Sequence, residues 1–388
     1  MTTVEHRPRP ELALRGWELV TGLPLGLESE PICPLSPDSG SDPRRALEAV
    51  MAAALARPPC VVSFSGGRDS SAVLAVAAQV ARREGLADPI PITLRFPGIA
   101  STDESRWQET IIAHLELRDW ERIEIGEELD YLGEVAQGVL RTHGLLYPAN
   151  AHLHLSIFQR AAGGQVLTGL DGDGLLGGWR WARAQAVLHG RARPQSRDAA
   201  RIALALAPPR VRRPVMGLRS VMTERPWIRD EVRPALTSVL LAEAAAEPRR
   251  WDARLAHYAR QRYLHLTDQS LRLLAAPHHV TVVHPLLDGA FLGALARAGG
   301  ARGFGSRTEA MEALFGDLLP RELIGRRTKA EFSGGVWRTQ ARAFAERWDG
   351  TGLDPRVDPQ RLRDEWRSAT PWFGANTLLQ AAWLSSRE

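Results

Sequence analysis

Three features of the chain predict an α/β fold, a parallel sheet with helices on both faces and a helical region behind it. Short apolar runs alternate with helix-forming stretches across residues 46–190. Two glycine-rich turns each follow directly on one of those runs. Beyond about residue 190 the strand-like runs give way to helical periodicity. Strands joined through helices pair in parallel, and their crossovers cover both faces of the sheet.

The first 43 residues are rich in proline and glycine and end in Ser36-Pro37-Asp38-Ser39-Gly40-Ser41-Asp42-Pro43, so residues 1–45 read as an extension and linker. Ala46, Leu47, Val50, Met51 and Ala54 then recur at the spacing of one buried helical face. Cys60-Val61-Val62-Ser63-Phe64 is short, apolar and partly β-branched, the composition of a strand buried on both sides. Residues 72–83, almost all alanine, valine and leucine, predict the helix that follows. The pattern repeats with a strand over 91–96, a helix over 103–114 and a strand over 122–125, and a fourth strand over 165–168 leads into the second glycine-rich turn. Residues 199–207, 236–246, 254–274 and 290–298 are helical in pattern, separated by breaks that contain proline or glycine.

At 388 residues the chain exceeds what one core usually organises, so two units are expected, residues 46–190 and 191–388. Apolar residues at 44% and charged residues at 24% are the balance of a globular protein in water. No apolar run approaches the roughly 18 residues a membrane span needs, and the N-terminus lacks a signal-peptide layout, so a cytoplasmic protein with no membrane partner is expected. Cys33 and Cys60 are too few for a tetrathiolate zinc site or a disulfide framework. Cys60 reads as a small core residue, and Cys33 is assigned no role. The pI of about 9.5 permits a polyanionic partner without requiring one. Among 49 basic residues only Lys329 is lysine. A compact ammonium on a slim stem does what a broad guanidinium cannot, which marks the one position that kept it.

Both glycine-rich turns begin at the carboxyl ends of predicted strands, where open parallel sheets bind their ligands. In Ser65-Gly66-Gly67-Arg68-Asp69-Ser70-Ser71 the glycines let the backbone approach an anion, the following helix offers free N–H groups, and the serine hydroxyls can donate to phosphate oxygens. Asp69 adds negative charge to such a site, which is consistent with a magnesium ion between it and the phosphates. The spacing is not that of a Walker A loop.

This turn after an apolar strand resembles the PP-loop of ATP pyrophosphatases, and specifically of the asparagine synthetase family, whose fold is HUP-like. Leu167-Thr168-Gly169-Leu170-Asp171-Gly172-Asp173-Gly174-Leu175-Leu176-Gly177-Gly178-Trp179 resembles that family's Leu-Ser-Gly-Glu-Gly-Ser-Asp-Glu-Leu-Phe-Gly-Gly-Tyr segment without a gap. The resemblance implies ATP and Mg2+ as cofactors. It assigns Asp69 and Asp173 to the metal and Ser63, Ser65, Gly66, Gly67, Asp69, Ser70, Ser71, Thr168 and Gly169 to the nucleotide. Leu94, in Thr93-Leu94-Arg95-Phe96, takes the adenine-contact position, and Asp103-Glu104 stands where the family carries an acidic pair. Arg327-Thr328-Lys329-Ala330-Glu331-Phe332-Ser333-Gly334-Gly335-Val336 resembles the segment holding the family's catalytic lysine, which falls on Lys329. His284-Pro285-Leu286-Leu287-Asp288 resembles a Pro-Phe-Leu-Asp signature and reads as structural. Two departures stand out, since the family's two glutamates in the second turn are Leu170 and Gly174 here.

The resemblance implies an ATP-dependent, AMP-forming ligase that adenylates a carboxylate and couples it to an amine. No segment resembles a glutaminase, and Thr2 stands where such a domain starts with cysteine. Arg327-Thr328-Lys329-Ala330 and Leu378-Leu379-Gln380-Ala381-Ala382-Trp383-Leu384 further resemble the macrolactam cyclases of lasso-peptide pathways. The expected substrate therefore bears both carboxylate and amine, a ribosomal peptide in the cyclase case, and partner proteins of that pathway are expected with it. The alternatives are a stand-alone ligase for a small molecule and a tRNA-modifying PP-loop enzyme. Nucleic acid is not the expected partner, because the Lys329 segment points to the synthetase branch.

Overall fold

The computed structural model describes residues 11–37, 40–215, 225–326, 328, 330 and 332–387. Among them five parallel strands form one sheet in the order β3-β2-β1-β4-β5. They are β1 Cys60–Ser63, β2 Ile90–Arg95, β3 Glu121–Glu124, β4 Gln165–Leu167 and β5 Thr281–Val283. Val61 pairs with Ile90 on one side and Val166 on the other, and Val166 in turn pairs with Val282.

Side chains alternate across the sheet and feed two cores. On one face Val62, Phe64 and Leu167 pack with Leu47 and Met51 of the helix Pro43–Leu55, with Val73 and Val80 of the helix Arg68–Glu84, and with Phe291 and Leu292 of the helix Gly289–Gly299. On the other, Val61, Ile92, Val166 and Val282 meet Ile157, Phe158, Leu271 and Leu274. Helices thus cover both faces, as the sequence predicts. A third core packs Trp227, Trp337, Trp366 and Trp383 of the C-terminal half against Tyr131, Ile125 and Leu140 from the segment that follows β3.

Two elements differ from the sequence expectation. The fifth strand comes from residues 281–283, within the stretch that shows only helical patterning. Three residues are too few for a period-2 signal, and β4 alone supplies the partner that makes them a strand. The helix expected over 254–274 is two, Trp251–Tyr258 and Arg262–Ala275. The N-terminal segment takes the backbone between them: the Arg262 amide donates to the Gly26 carbonyl at 3.1 Å, and the Glu28 amide to the Arg260 carbonyl at 2.8 Å. Residues 11–37 therefore lie against the body of the protein, with Leu12, Leu14 and Val20 buried. Among the described residues no helix is long and apolar enough to cross a membrane.

Candidate active site

With β1 at the centre, the chain first builds outward to β2 and β3 and then crosses to β4 on the opposite side. That reversal opens a crevice beyond the carboxyl ends of β1 and β4. Both glycine-rich turns lie there, on the walls of a cavity of about 580 Å³.

The first turn leaves β1 and enters the helix Arg68–Glu84 with Gly67 at its N-cap and no side chain capping it, so amides at this helix start remain open to an anion. Gly66 has φ +82°, and a Cβ there would stand 2.8 Å from Gln108 Cγ. Ser65 and Ser70 hold the loop closed. Their hydroxyls are 3.1 Å apart, the Ser65 amide donates to Ser70 Oγ at 3.2 Å, and the Ser70 hydroxyl donates to the Gly67 carbonyl. The second turn leaves β4 through Asp171, at φ 51°, into the helix Gly172–Gly177 with Asp173 in its first turn.

The turns touch directly. A Cβ on Gly172 would stand 2.4 Å from Asp69 Cγ, and one on Gly169 would stand 2.7 Å from the Ser70 amide nitrogen. Small residues at 169 and 172 thus let the two carboxylates meet. Arg307 joins them: its Nη2 donates to both Asp69 oxygens, at 2.8 and 2.9 Å, and pairs with Asp173. Burial raises the Asp69 carboxyl to about 6; the Arg307 guanidinium opposes that rise and the Asp173 carboxylate adds to it.

Of the residues assigned to nucleotide or metal, Ser63, Ser65, Gly67, Asp69, Ser70, Thr168, Gly169 and Asp173 line this one cavity. Gly66 lies behind the loop against Gln108, and Ser71 is fully buried with its hydroxyl unpaired, away from the cavity wall. Leu94 lines an adjoining cavity of about 480 Å³ that shares Glu104 with the first. Lys329 lies outside the described residues, but Arg326, Thr328, Ala330 and Phe332 around it line the cavity that holds Asp69 and Asp173.

Several groups at the site were not singled out by sequence reasoning. Arg307 had no signal, being one arginine among 48. His284, read as structural, reaches back to the cavity: Thr168 Oγ1 and His284 Nδ1 are 2.6 Å apart, and His284 Nε2 lies 3.3 Å from Asp268. Asp288, by contrast, caps the helix Gly289–Gly299 by accepting from Ala290 and Phe291. Asp171 accepts from the Tyr258 hydroxyl at 2.5 Å and from that of Tyr263. A Cβ on Gly174 would stand 2.4 Å from Asp171 Oδ2, so the Asp171 carboxylate fills the space that a side chain at 174 would need.

A family model described as Asparagine synthase matches residues 44–385, nearly the whole chain. A comparison with curated proteins finds no match. The matched span takes in both turns and the Lys329 segment, and the chain belongs to the asparagine synthase family, ATP-dependent ligases that form amide bonds.

Proposed function

We propose that the protein adenylates a substrate carboxylate, releasing pyrophosphate, and then joins the acyl group to an amine carried by the same molecule, closing a macrolactam on a ribosomal peptide. The observation that carries the adenylating half is the convergence of Asp69 and Asp173 on one cationic group at the crevice between β1 and β4. Two carboxylates that already share a positive group suit Mg2+, which binds through one or two carboxylates plus substrate phosphates. Asp69 and Asp173 would hold the ion, which supplies charge neutralisation on the phosphate oxygens.

In this reading a carboxylate oxygen attacks the α-phosphorus, the bond to the bridging oxygen breaks, and pyrophosphate leaves with the electron pair. The amides at the start of the helix Arg68–Glu84 and the hydroxyls of Ser65 and Ser70 receive the pyrophosphate. Lys329 places its ammonium where negative charge grows, first on the phosphates and then on the tetrahedral carbonyl adduct. The amine nitrogen then takes the acyl carbon, AMP departs, and the amine proton passes to solvent. Residues 46–190 bind the nucleotide and residues 191–388 close over the acyl acceptor.

Support for an amine within the substrate comes from Leu170, which lines the cavity where the family's glutamate would stand. An amine tethered beside the acyl group needs no separate binding site. Incubation with Mg-ATP and a leader-free core peptide should form AMP together with a product lighter by one water. Adenylation of small carboxylates with free amines, and of no peptide, would move the reading to a small-molecule ligase; RNA-dependent ATP turnover would move it to tRNA modification. Lys329→Met should slow AMP formation by roughly 10²–10³-fold while leaving ATP affinity nearly unchanged. Full activity in that variant removes Lys329 from the mechanism.

A further inference from the structure

Glu104 stands at the boundary of the two cavities and is only 5% exposed. Both its oxygens accept from Arg326, one oxygen to each terminal nitrogen, and the pair is almost wholly withdrawn from water. The Arg326 guanidinium also lies over the Trp107 ring, 4.9 Å from its centroid. The same Oε1 accepts from the Ala330 amide at 2.9 Å. One buried carboxylate therefore grips the chain at position 326 and again at 330, the residue next after Lys329. Further along, Phe332 packs on Phe96 with ring centroids 6.2 Å apart, and Gly335 fits against the same ring, where a Cβ would come within 2.7 Å.

We propose that Glu104, with Arg326, is a positioning clasp that holds the Lys329-bearing segment against the nucleotide crevice. The physical case is that an isolated buried charge is costly, so Glu104 and Arg326 fix each other's place once both are buried. The Ala330 amide then uses a carboxylate lone pair that Arg326 leaves free, which ties the register of the segment to the N-terminus of the helix Ser105–His114. A lysine on a flexible four-carbon stem is aimed only if the backbone beneath it is held. This clasp rests on the reading of Lys329 as the catalytic cation, but its own geometry stands apart from that reading.

The chain's single lysine makes the test direct, because endoproteinase Lys-C has one cleavage site, Lys329–Ala330. Glu104→Gln keeps an acceptor for the Ala330 amide but loses the charge, and Glu104→Ala loses both. The double variant Glu104→Met with Arg326→Met keeps the pair's volume without a buried charge, so that a folded chain is available for measurement. Cleavage should quicken in all three, most in Glu104→Ala, by about tenfold or more, with Glu109→Gln as a control at the wild-type rate. The second readout is adenosine diphosphopyridoxal, a nucleotide whose aldehyde replaces the terminal phosphate. It condenses with the lysine amine, releasing water, and borohydride then reduces the imine to a stable adduct. Labelling of Lys329 should fall by about 100-fold in the clasp variants, the scale expected for a misplaced group, while affinity for Mg-ATP holds within about twofold. Wild-type rates of both cleavage and labelling in Glu104→Ala would overturn the clasp. Failure of the wild-type protein to label at Lys329, with cleavage still quickened in the variants, would instead overturn the role of the lysine and leave the clasp standing.

Discussion

Arg307, Asp69 and Asp173 form a group whose charges are interdependent. Burial raises the affinity of the Asp69 carboxylate for a proton, the neighbouring Asp173 carboxylate adds to that rise, and the guanidinium between the two opposes it. Arg307 therefore occupies the electrostatic place that a metal ion is proposed to take. A simpler residue is Cys60, which opens β1. Burial pushes its thiol up to about 12, against 9 for an ordinary thiol. Below pH 9 both folded and unfolded chains keep the proton; above it the unfolded chain loses the proton first, so stability falls as pH rises towards 12. Urea denaturation at pH 9.5 and 10.5 should show the wild type losing roughly 1 kcal/mol more per pH unit than Cys60→Ala. Parallel pH profiles for the two proteins would show that the thiol ionises without regard to the fold.

At the level of elements, the N-terminal segment is bound by a charge cluster at the start of the helix Arg262–Ala275. Arg262 pairs with Glu18 at 2.7 Å and Glu28 at 2.5 Å, and both Arg262 and Glu18 are buried. Glu18 in turn accepts from the Arg15 and Leu25 amides. Arg262→Met strands a buried carboxylate and should lower unfolding free energy by about 3–5 kcal/mol, measured by denaturant titration. A loss under about 1 kcal/mol would mean that the segment is not anchored there. None of this was legible in residues 1–45, where proline and glycine content suggested a linker. Composition reports what a segment lacks for helix or strand, but not the distant groups that accept its polar atoms. The strand–turn–helix units at 60–84 and 165–177 were legible, because each carries its own pattern of apolar residues and glycines over a short span. The strand at 281–283 was not, because its conformation is set by β4.

Across the whole molecule, the metal site proposed for the crevice is one that the protein would supply only in part. Among the described residues no group of three or more His, Cys, Asp or Glu comes together that could hold a metal ion by itself. With Asp69 and Asp173 as the protein's share, phosphate oxygens must supply the rest, so metal and nucleotide should bind with positive coupling. Titration of Mn2+ followed by electron paramagnetic resonance should find affinity for the ion raised about tenfold or more by ATP, and ATP affinity raised by the ion to the same degree. Equal Mn2+ affinity with and without ATP would place the ion elsewhere.

The alternation of strands and helices, the two phosphate-type turns and the solitary lysine are all local properties, and residues near one another in the chain determined them. Tertiary structure decided which distant groups meet: Arg307 between two aspartates, His284 behind Thr168, Tyr258 and Tyr263 on Asp171, and Glu104 with both Arg326 and Ala330. The reason is that a charge or hydroxyl keeps water as its partner until folding buries it beside another group. One arginine among 48 acquires its role only from the carboxylates that burial leaves it to neutralise.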